Sequence, residues 1–306
     1  MNKLKVVINK VRNIDHLELE LSLDKGVYAI TGENGCGKST IMRILSKLIR
    51  RSAYNVFLRN DLSVDSKIVF ECNGQTDEWT RQQVLPYHWI CSNQMPIQLA
   101  GFSEGSLIYG TRLSDDKINA PVSATRVKDF DLKDADVFVR ENFGYIMHND
   151  KHYYENLKVV KTIKIARSLN LNGVPYFISR ENGYVSQYSM STGENLMLSL
   201  LHMLNTNIIR SGDHNRLLLL LVDEIEFALH PSAIIRLNEF LNNLTKEYNL
   251  AIYFSTHSRE IIRRTKPQNI FHISRIEDKH EVKNPCFPAY ATRDIYETDS
   301  YDLSCL

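Results

Sequence analysis

The 306-residue chain is 43% hydrophobic and 24% charged, which marks a globular protein with a substantial core and excludes disordered, collagen-like and disulfide-scaffold classes. Its 37 Lys+Arg against 36 Asp+Glu leave no net field to draw it to DNA or to an anionic membrane. Glycine is scarce, 13 residues in all, yet Gly32, Gly35 and Gly37 crowd into six positions, where backbone geometry is its main use.

The N-terminus reads as a strand rather than a signal peptide, with Leu4, Val6 and Ile8 alternating against polar positions. Leu17, Leu19, Leu21 and Leu23 then alternate with Glu18, Glu20 and Ser22, the period of a half-buried strand. Val27 to Thr31 is a short apolar run that ends at the glycines and so predicts a buried strand. After Thr40 the spacing turns helical, with Ile41, Ile44, Leu45, Leu48 and Ile49 on one face.

Between that strand and helix lies Gly32-Glu33-Asn34-Gly35-Cys36-Gly37-Lys38-Ser39, an unbroken GxxxxGK[ST] phosphate loop. Glycines let successive N–H groups turn inward around phosphate oxygens, and the following helix adds its positive end. Lys38 would reach the β- and γ-phosphates and the Ser39 hydroxyl would ligate Mg²⁺. Cys36 is read first as a small residue that fits. A sharper expectation is a thiol acidified by the helix N-terminus, which would make ATP binding redox-sensitive.

Beyond the loop, Lys67 to Glu71 reads as a strand with Asn73-Gly74 as its turn, and helices are predicted near Asp134 to Phe143 and His152 to Ala166. These segments are assigned to an insertion, centred on residues 95–185, within a single head that spans 1–306. A hairpin with Glu181-Asn182-Gly183 at its tip closes it. Ser189-Met190-Ser191-Thr192-Gly193-Glu194 then opens an apolar helix running from Asn195 to about Ile209, a second anion site made from a cap and a helix N-terminus.

Leu217 to Val222 is an apolar strand ending in Asp223 and Glu224, acids suited to metal support and to polarising water. At six residues it is far too short to cross a bilayer. Pro231 suits the first turn of a helix with Ile234, Ile235, Leu237, Leu241 and Leu244 on its apolar face. Leu250 to Phe254 predicts another buried strand, and it leads into Ser255-Thr256-His257. The last 49 residues are expected to hold one helix, the strand Asn269 to Ser274 and a Tyr- and Asp-rich tail. Five cysteines, odd in number and without a CxxC pair, read as reduced thiols and point to a cytoplasmic protein.

The order of phosphate loop, signature, Asp-Glu strand and histidine resembles an ABC-type ATPase head. The signature Met190-Ser191-Thr192-Gly193-Glu194 is a divergent LSGGQ, with Thr192 in place of its first glycine. Val11-Arg12-Asn13-Ile14 looks like the opening of the RecF, SMC and OLD group. Asp223-Glu224-Ile225-Glu226-Phe227-Ala228-Leu229-His230-Pro231 is similar to OLD-like AAA-family ATPases of bacterial anti-phage systems. The fold implied is an α/β P-loop NTPase, an ABC head with an N-terminal β-lobe and a lobe inserted between phosphate loop and signature.

The resemblance implies ATP and Mg²⁺ as cofactors. Gly32, Asn34, Gly35, Gly37, Lys38, Ser39 and Thr40 would bind nucleotide, with Arg12 near the phosphates. Ser39, Asp223 and Gln94 would serve the metal, Gln98 being the competitor for the glutamine. Glu224 would act as base and His257 as switch. Ser191, Gly193 and Glu194 would meet the nucleotide of a second copy, which implies a homodimer sandwiching ATP. No stretch offers a long coiled-coil arm or room for the fused nuclease of OLD proteins, so a separate, nuclease-like effector is the expected partner. A RecF-like DNA-repair ATPase is the alternative, with nucleic acid as partner. A transporter ATPase is disfavoured by Ile225, where a proline is usual. A nucleotide-locked structural subunit is disfavoured by the presence of Glu224.

Overall fold

Alternating buried and more exposed positions make the first two segments strands, β1 (Lys3–Val11) and β2 (Ile14–Ser22), paired antiparallel around a two-residue turn. The computed structural model describes residues 3–57, 59–81, 89–104, 124–171, 173–181, 183–210, 212–224, 226, 229–276 and 279–296. The chain divides into two compact units. One comprises Met1–Gly105, Asn215–Phe227 and Leu241–Leu306; the other comprises Ser106–His214 and Ala228–Phe240.

In the first unit β3 (Gly26–Gly32) leads through the glycine loop into helix α1 (Lys38–Leu45). The strands β4 (Leu62–Cys72), β5 (Gln75–Arg81) and β6 (Trp89–Cys91) extend the first hairpin into an antiparallel sheet of order β2-β1-β4-β5-β6. Asn73 and Gly74, both at positive φ, make the β4–β5 turn expected of an Asn-Gly pair. The segment Lys67 to Glu71 therefore belongs to the N-terminal β-lobe and not to the insertion. Its buried residues Ile68 and Phe70 share a face with Val6 and Ile8, their cross-strand partners. Likewise β7 (Ala100–Glu104), inside the range 95–185, belongs to this first unit.

The second unit carries β8 (Leu132–Asp134), helix α2 (Val137–His148), β9 (Leu157–Val160), the short helix α3 (Ile163–Ser168), β10 (Tyr176–Arg180) and β11 (Gly183–Ser186). Its sheet runs β11-β10-β9-β8, and Phe177, Val160, Leu132, Ala166 and Leu171 form its core. The helix predicted over His152 to Ala166 is thus a turn, a strand and one short helix. The β-branched Val159 and Val160 pack in the sheet, and Thr162 caps a new helix through its side chain instead of continuing an old one. The hairpin forms as predicted, with Arg180 opposite Gly183; Asn182 lies outside the described residues. Helix α4 (Thr192–Leu204) follows, and its last turn widens into a π-helix over Asn205–Ile209.

The chain re-enters the first unit at β12 (Leu218–Val222). Helix α5 (Pro231–Glu247) starts in the second unit and passes into the first at Leu241, and β13 (Leu250–Ser255), α6 (Arg259–Arg264), β14 (Ile270–Ile276), β15 (Lys279–Lys283) and α7 (Pro288–Tyr296) follow there. The C-terminal region therefore adds a second helix and a second strand to those predicted; its Tyr- and Asp-rich tail lies outside the described residues. The main sheet has the order β15-β14-β3-β13-β12-β7, parallel except for β15. Every residue of β12 and β13 is buried, as continuous apolar strands in a parallel sheet require. No described helix is long and apolar enough to cross a membrane.

Helix α2 starts at Asp136, whose carboxylate accepts from the Phe138 N–H at 3.0 Å. Asp136→Ala is expected to lower stability by about 1 kcal/mol in chemical denaturation, whereas Asp136→Asn keeps the cap and most of that stability.

Candidate nucleotide site

The parallel order β3-β13-β12 brings the carboxyl ends of three strands to one edge of the sheet, where ligands of open α/β sheets bind. The first strand ends in the phosphate loop, the last in Asp223 and Glu224, and the middle one in Ser255, Thr256 and His257.

The loop is shaped by close backbone approach. A Cβ on Gly32 would sit 2.1 Å from the Ile273 carbonyl oxygen of β14, so only glycine passes there. Gly37 precedes α1 at φ +100°, a conformation L side chains rarely adopt. Glu33, Asn34 and Gly35 are exposed, while Thr40 is buried within the first turn of the helix. The buried Lys38 ammonium curls over the loop and donates to the carbonyls of Gly32 at 2.9 Å and Glu33 at 2.8 Å. Burial holds its pKa below the ordinary lysine value, opposed by the charges of Asp223, Glu226 and Glu224 nearby.

Burial also decides the fate of Cys36. Its thiol is only 2% exposed, and desolvation pushes its pKa up despite Lys38 beside it. The acidified thiol expected from the helix N-terminus does not form, because the cost of burying a thiolate exceeds the favourable field.

The acid strand and the loop meet directly: the Ser39 hydroxyl lies 3.3 Å from Asp223 Oδ1. Asp223 is buried, and its Oδ1 also accepts a short hydrogen bond from Ser255 Oγ. The same Ser255 oxygen accepts from the Glu224 N–H at 2.9 Å. One hydroxyl from β13 thus orders both acids. Glu224 sits at φ +51°, a left-handed turn that breaks the strand immediately after Asp223. A hydroxyl beside a carboxylate is the hard-oxygen donor set that Mg²⁺ takes when phosphates supply further oxygens. These residues therefore fit the metal the loop implies.

Two residues of this edge carry no motif of their own. Glu226 accepts from the His257 N–H at 2.6 Å and from the Thr256 hydroxyl at 3.1 Å, tying the end of β13 to the turn after β12. Its neighbours Ile225, Phe227 and Ala228 lie outside the described residues. Tyr296, on α7, donates its hydroxyl to the His257 carbonyl at 2.6 Å. The His257 ring is half-buried; desolvation, helped by the Lys38 charge, lowers its pKa to about 4. It is a neutral imidazole at physiological pH.

Arg12 and Gln94 have the following surroundings. Arg12 is the first residue of the β1–β2 turn and its guanidinium pairs with Asp61 at 3.0 Å, while its N–H donates to the Asp61 carbonyl. The turn residue that touches the loop is Asn13, whose amide donates to the Gly35 carbonyl. Successive residues of a two-residue turn project in different directions, so the motif and its contact are one position apart. Gln94 is exposed in the bend after β6, on the β-lobe sheet, and makes no hydrogen bond to a described residue. Its competitor Gln98 donates to the Leu48 carbonyl at 2.7 Å.

In the second unit Ser191 is exposed at the N-cap of α4 and Gly193 is buried in its first turn. Ser191 Oγ accepts from the Glu194 N–H at 3.2 Å, and the Glu194 carboxylate accepts from the Ser191 N–H at 2.9 Å and from its hydroxyl at 2.8 Å. This reciprocal box fixes the signature helix start.

Residues 5–47, from β1 through α1, match the family model described as an AAA domain. No curated protein gives a sequence match. Among solved structures, an Smc head bound to the C-winged helix domain of ScpA superposes over 91% of this chain and 96% of its own, with TM-score 0.51 at 13% identity. An Smc head domain with an extended coiled coil, bound to the C-terminal domain of ScpA derived from Pyrococcus furiosus, covers 92% and 96% with TM-score 0.52 at 12% identity. The chain has the ABC-type P-loop NTPase fold. Within that fold the loop, the acid pair and the histidine occupy one sheet edge of the first unit, and the signature belongs to the second.

Two outcomes follow from this geometry. Ser255→Ala strands the Glu224 N–H and removes a donor from Asp223, and is expected to cost about 1–3 kcal/mol of stability in chemical denaturation. The His257 ring is expected to remain neutral in an NMR titration from pH 8 down to pH 5.5. Between its ordinary value of 6.5 and the folded value of about 4 only the unfolded chain takes up that proton, so this residue's contribution to stability declines as pH falls through that window.

Proposed function

We propose that this protein is a Mg²⁺-dependent ATPase that works as an ATP-dependent homodimeric switch. The observation that carries the reading is the junction of Ser39, Asp223 and Ser255, which joins a phosphate loop to an acid strand across β13. Loop N–H groups and Lys38 would hold the β- and γ-phosphates, and Ser39 with Asp223 would hold Mg²⁺, which neutralises charge on the phosphates. Glu224 would take the proton of the attacking water. His257, neutral, would meet the γ-phosphate side by hydrogen bonding rather than by charge.

The exposed cap at Ser191 would approach the nucleotide of a second copy, so that two copies sandwich ATP. A ligand bound tightly only by the closed pair shifts the population toward it, and hydrolysis releases it. The solved heads bound to ScpA segments support a further step, in which the head carries a protein partner. The Leu229-His230-Pro231 ending after the acid pair supports an OLD-like role, in which that partner is a nuclease-like effector of anti-phage defence.

Glu224→Gln is expected to lower turnover at least about 100-fold, the scale of removing a general base, and to accumulate an ATP-bound dimer in light scattering. Ser191→Arg is expected to abolish that dimer while ATP binding by the monomer persists. Undiminished ATP-induced dimerisation by Ser191→Arg would overturn the sandwich.

A further inference from the structure

The signature cap is held by more than its own helix. Glu194 directs one carboxylate oxygen to Ser191, and the other accepts from the Tyr154 hydroxyl at 2.9 Å. Tyr154 belongs to the turn between α2 and β9, some forty positions earlier in the chain. Its hydroxyl also lies 3.0 Å from His148 Nε2, and its ring stacks on the buried Phe143 with centroids 4.0 Å apart. His148 in turn stacks on Tyr153 at 3.7 Å. The end of α2 that carries His148 is fastened from the other side: Arg236, on α5, donates to the carbonyls of Ile146 at 2.8 Å and Met147 at 3.0 Å.

The chemistry of this chain of bonds runs in one direction. Burial works against a charge on Glu194, yet the donors from Ser191 and Tyr154 outweigh it and hold the carboxyl below its ordinary pKa. Burial and the neighbouring Glu194 both raise the Tyr154 phenol, so it stays protonated; it donates to Glu194 when His148 Nε2 carries the proton of their shared contact. The carboxylate thus takes Tyr154 on one oxygen and Ser191 on the other. Ser191 itself is exposed, with no packing of its own to fix it.

We infer that Tyr154 is a positioning residue for the signature: acting through Glu194, it sets the rotamer and backbone of Ser191 that a second copy's nucleotide meets. The inference rests on the sandwich reading above. It makes the turn between α2 and β9 the part of the second unit through which the signature can be set or released.

The test measures dimer dissociation constants by analytical ultracentrifugation, with ATP and Mg²⁺, in the full-length Glu224→Gln protein. Tyr154→Phe keeps the ring and its stack on Phe143 and deletes only the hydroxyl. It is expected to weaken the ATP-bound dimer about tenfold, the loss typical of one hydrogen bond to a charged group. Monomer ATP affinity, measured in the Ser191→Arg background, is expected to stay unchanged, while the nucleotide-free melting temperature falls modestly because the hydrogen bond is already made in the monomer. Combined with Glu194→Ala, Tyr154→Phe is expected to add nothing, because residues acting through one another are non-additive. An unchanged dimer constant, additive losses in the double variant, or a weakened monomer ATP affinity would each overturn the inference. If Ser191→Arg blocks the dimer and Tyr154→Phe does not weaken it, the positioning role alone fails. If Ser191→Arg leaves the dimer intact, the sandwich fails and this inference goes with it.

Discussion

A single hydroxyl, that of Ser255, stands between the two acids and the end of the central strand. It donates to Asp223 and accepts from the Glu224 N–H, so relaxing the turn after β12 costs two hydrogen bonds to one hydroxyl. Asp223 in turn faces Ser39 at the start of α1. The phosphate loop, the acid pair and the end of β13 at His257 are thereby tied together, though the loop and the acids come from segments nearly two hundred residues apart. The sheet order makes this feasible: β13 lies between β3 and β12, and all three run the same way.

The charges at this edge are balanced by neutral groups as much as by opposite ones. Lys38 is buried and gives its hydrogen bonds to two loop carbonyls, an arrangement that satisfies the ammonium without a tight ion pair. A fully formed salt bridge there would hold the lysine away from phosphate. His257 follows the same logic, since desolvation and the lysine charge keep it neutral. A neutral imidazole next to a phosphate site can respond to geometry without adding a third cation to the group.

What could be read in the sequence was what depends on neighbours in the chain. The phosphate loop needs only its glycines, a strand before it and a helix after it, and each is local. The same holds for Ser191 with Glu194, three residues apart, and for Asn73-Gly74. Long-range placement was not legible. Lys67 to Glu71 has the alternation of any half-buried strand, and nothing local says that its partner is β1 and not a strand of the inserted unit. His152 to Ala166 has enough Lys, Leu and Ala to pass for a helix, and its β-branched pair reveals itself only against β10. Glu226 and Asn13 were passed over because each lies beside a residue with a stronger motif, Glu224 and Arg12. Their roles exist only as contacts across strands. Cys36 shows the limit of an electrostatic argument made without burial: the helix end and the lysine are both present, and desolvation still wins.

The phosphate loop and the signature cap are held by different physics, and on the proposed function the difference has a mechanical meaning. The phosphate loop is fixed by steric necessity, with backbone so close at Gly32 that no other residue fits. Sterics of that kind have no second state nearby. The signature cap is fixed by side-chain hydrogen bonds that reach it through Glu194 and Tyr154. Each of those bonds contributes little net free energy, because water can replace it. A composite site built from one rigid half and one adjustable half would bind nucleotide in the rigid half first. On the proposed sandwich the adjustable half would then decide whether a second copy closes, and control would lie with the signature cap rather than with the loop that binds the ligand.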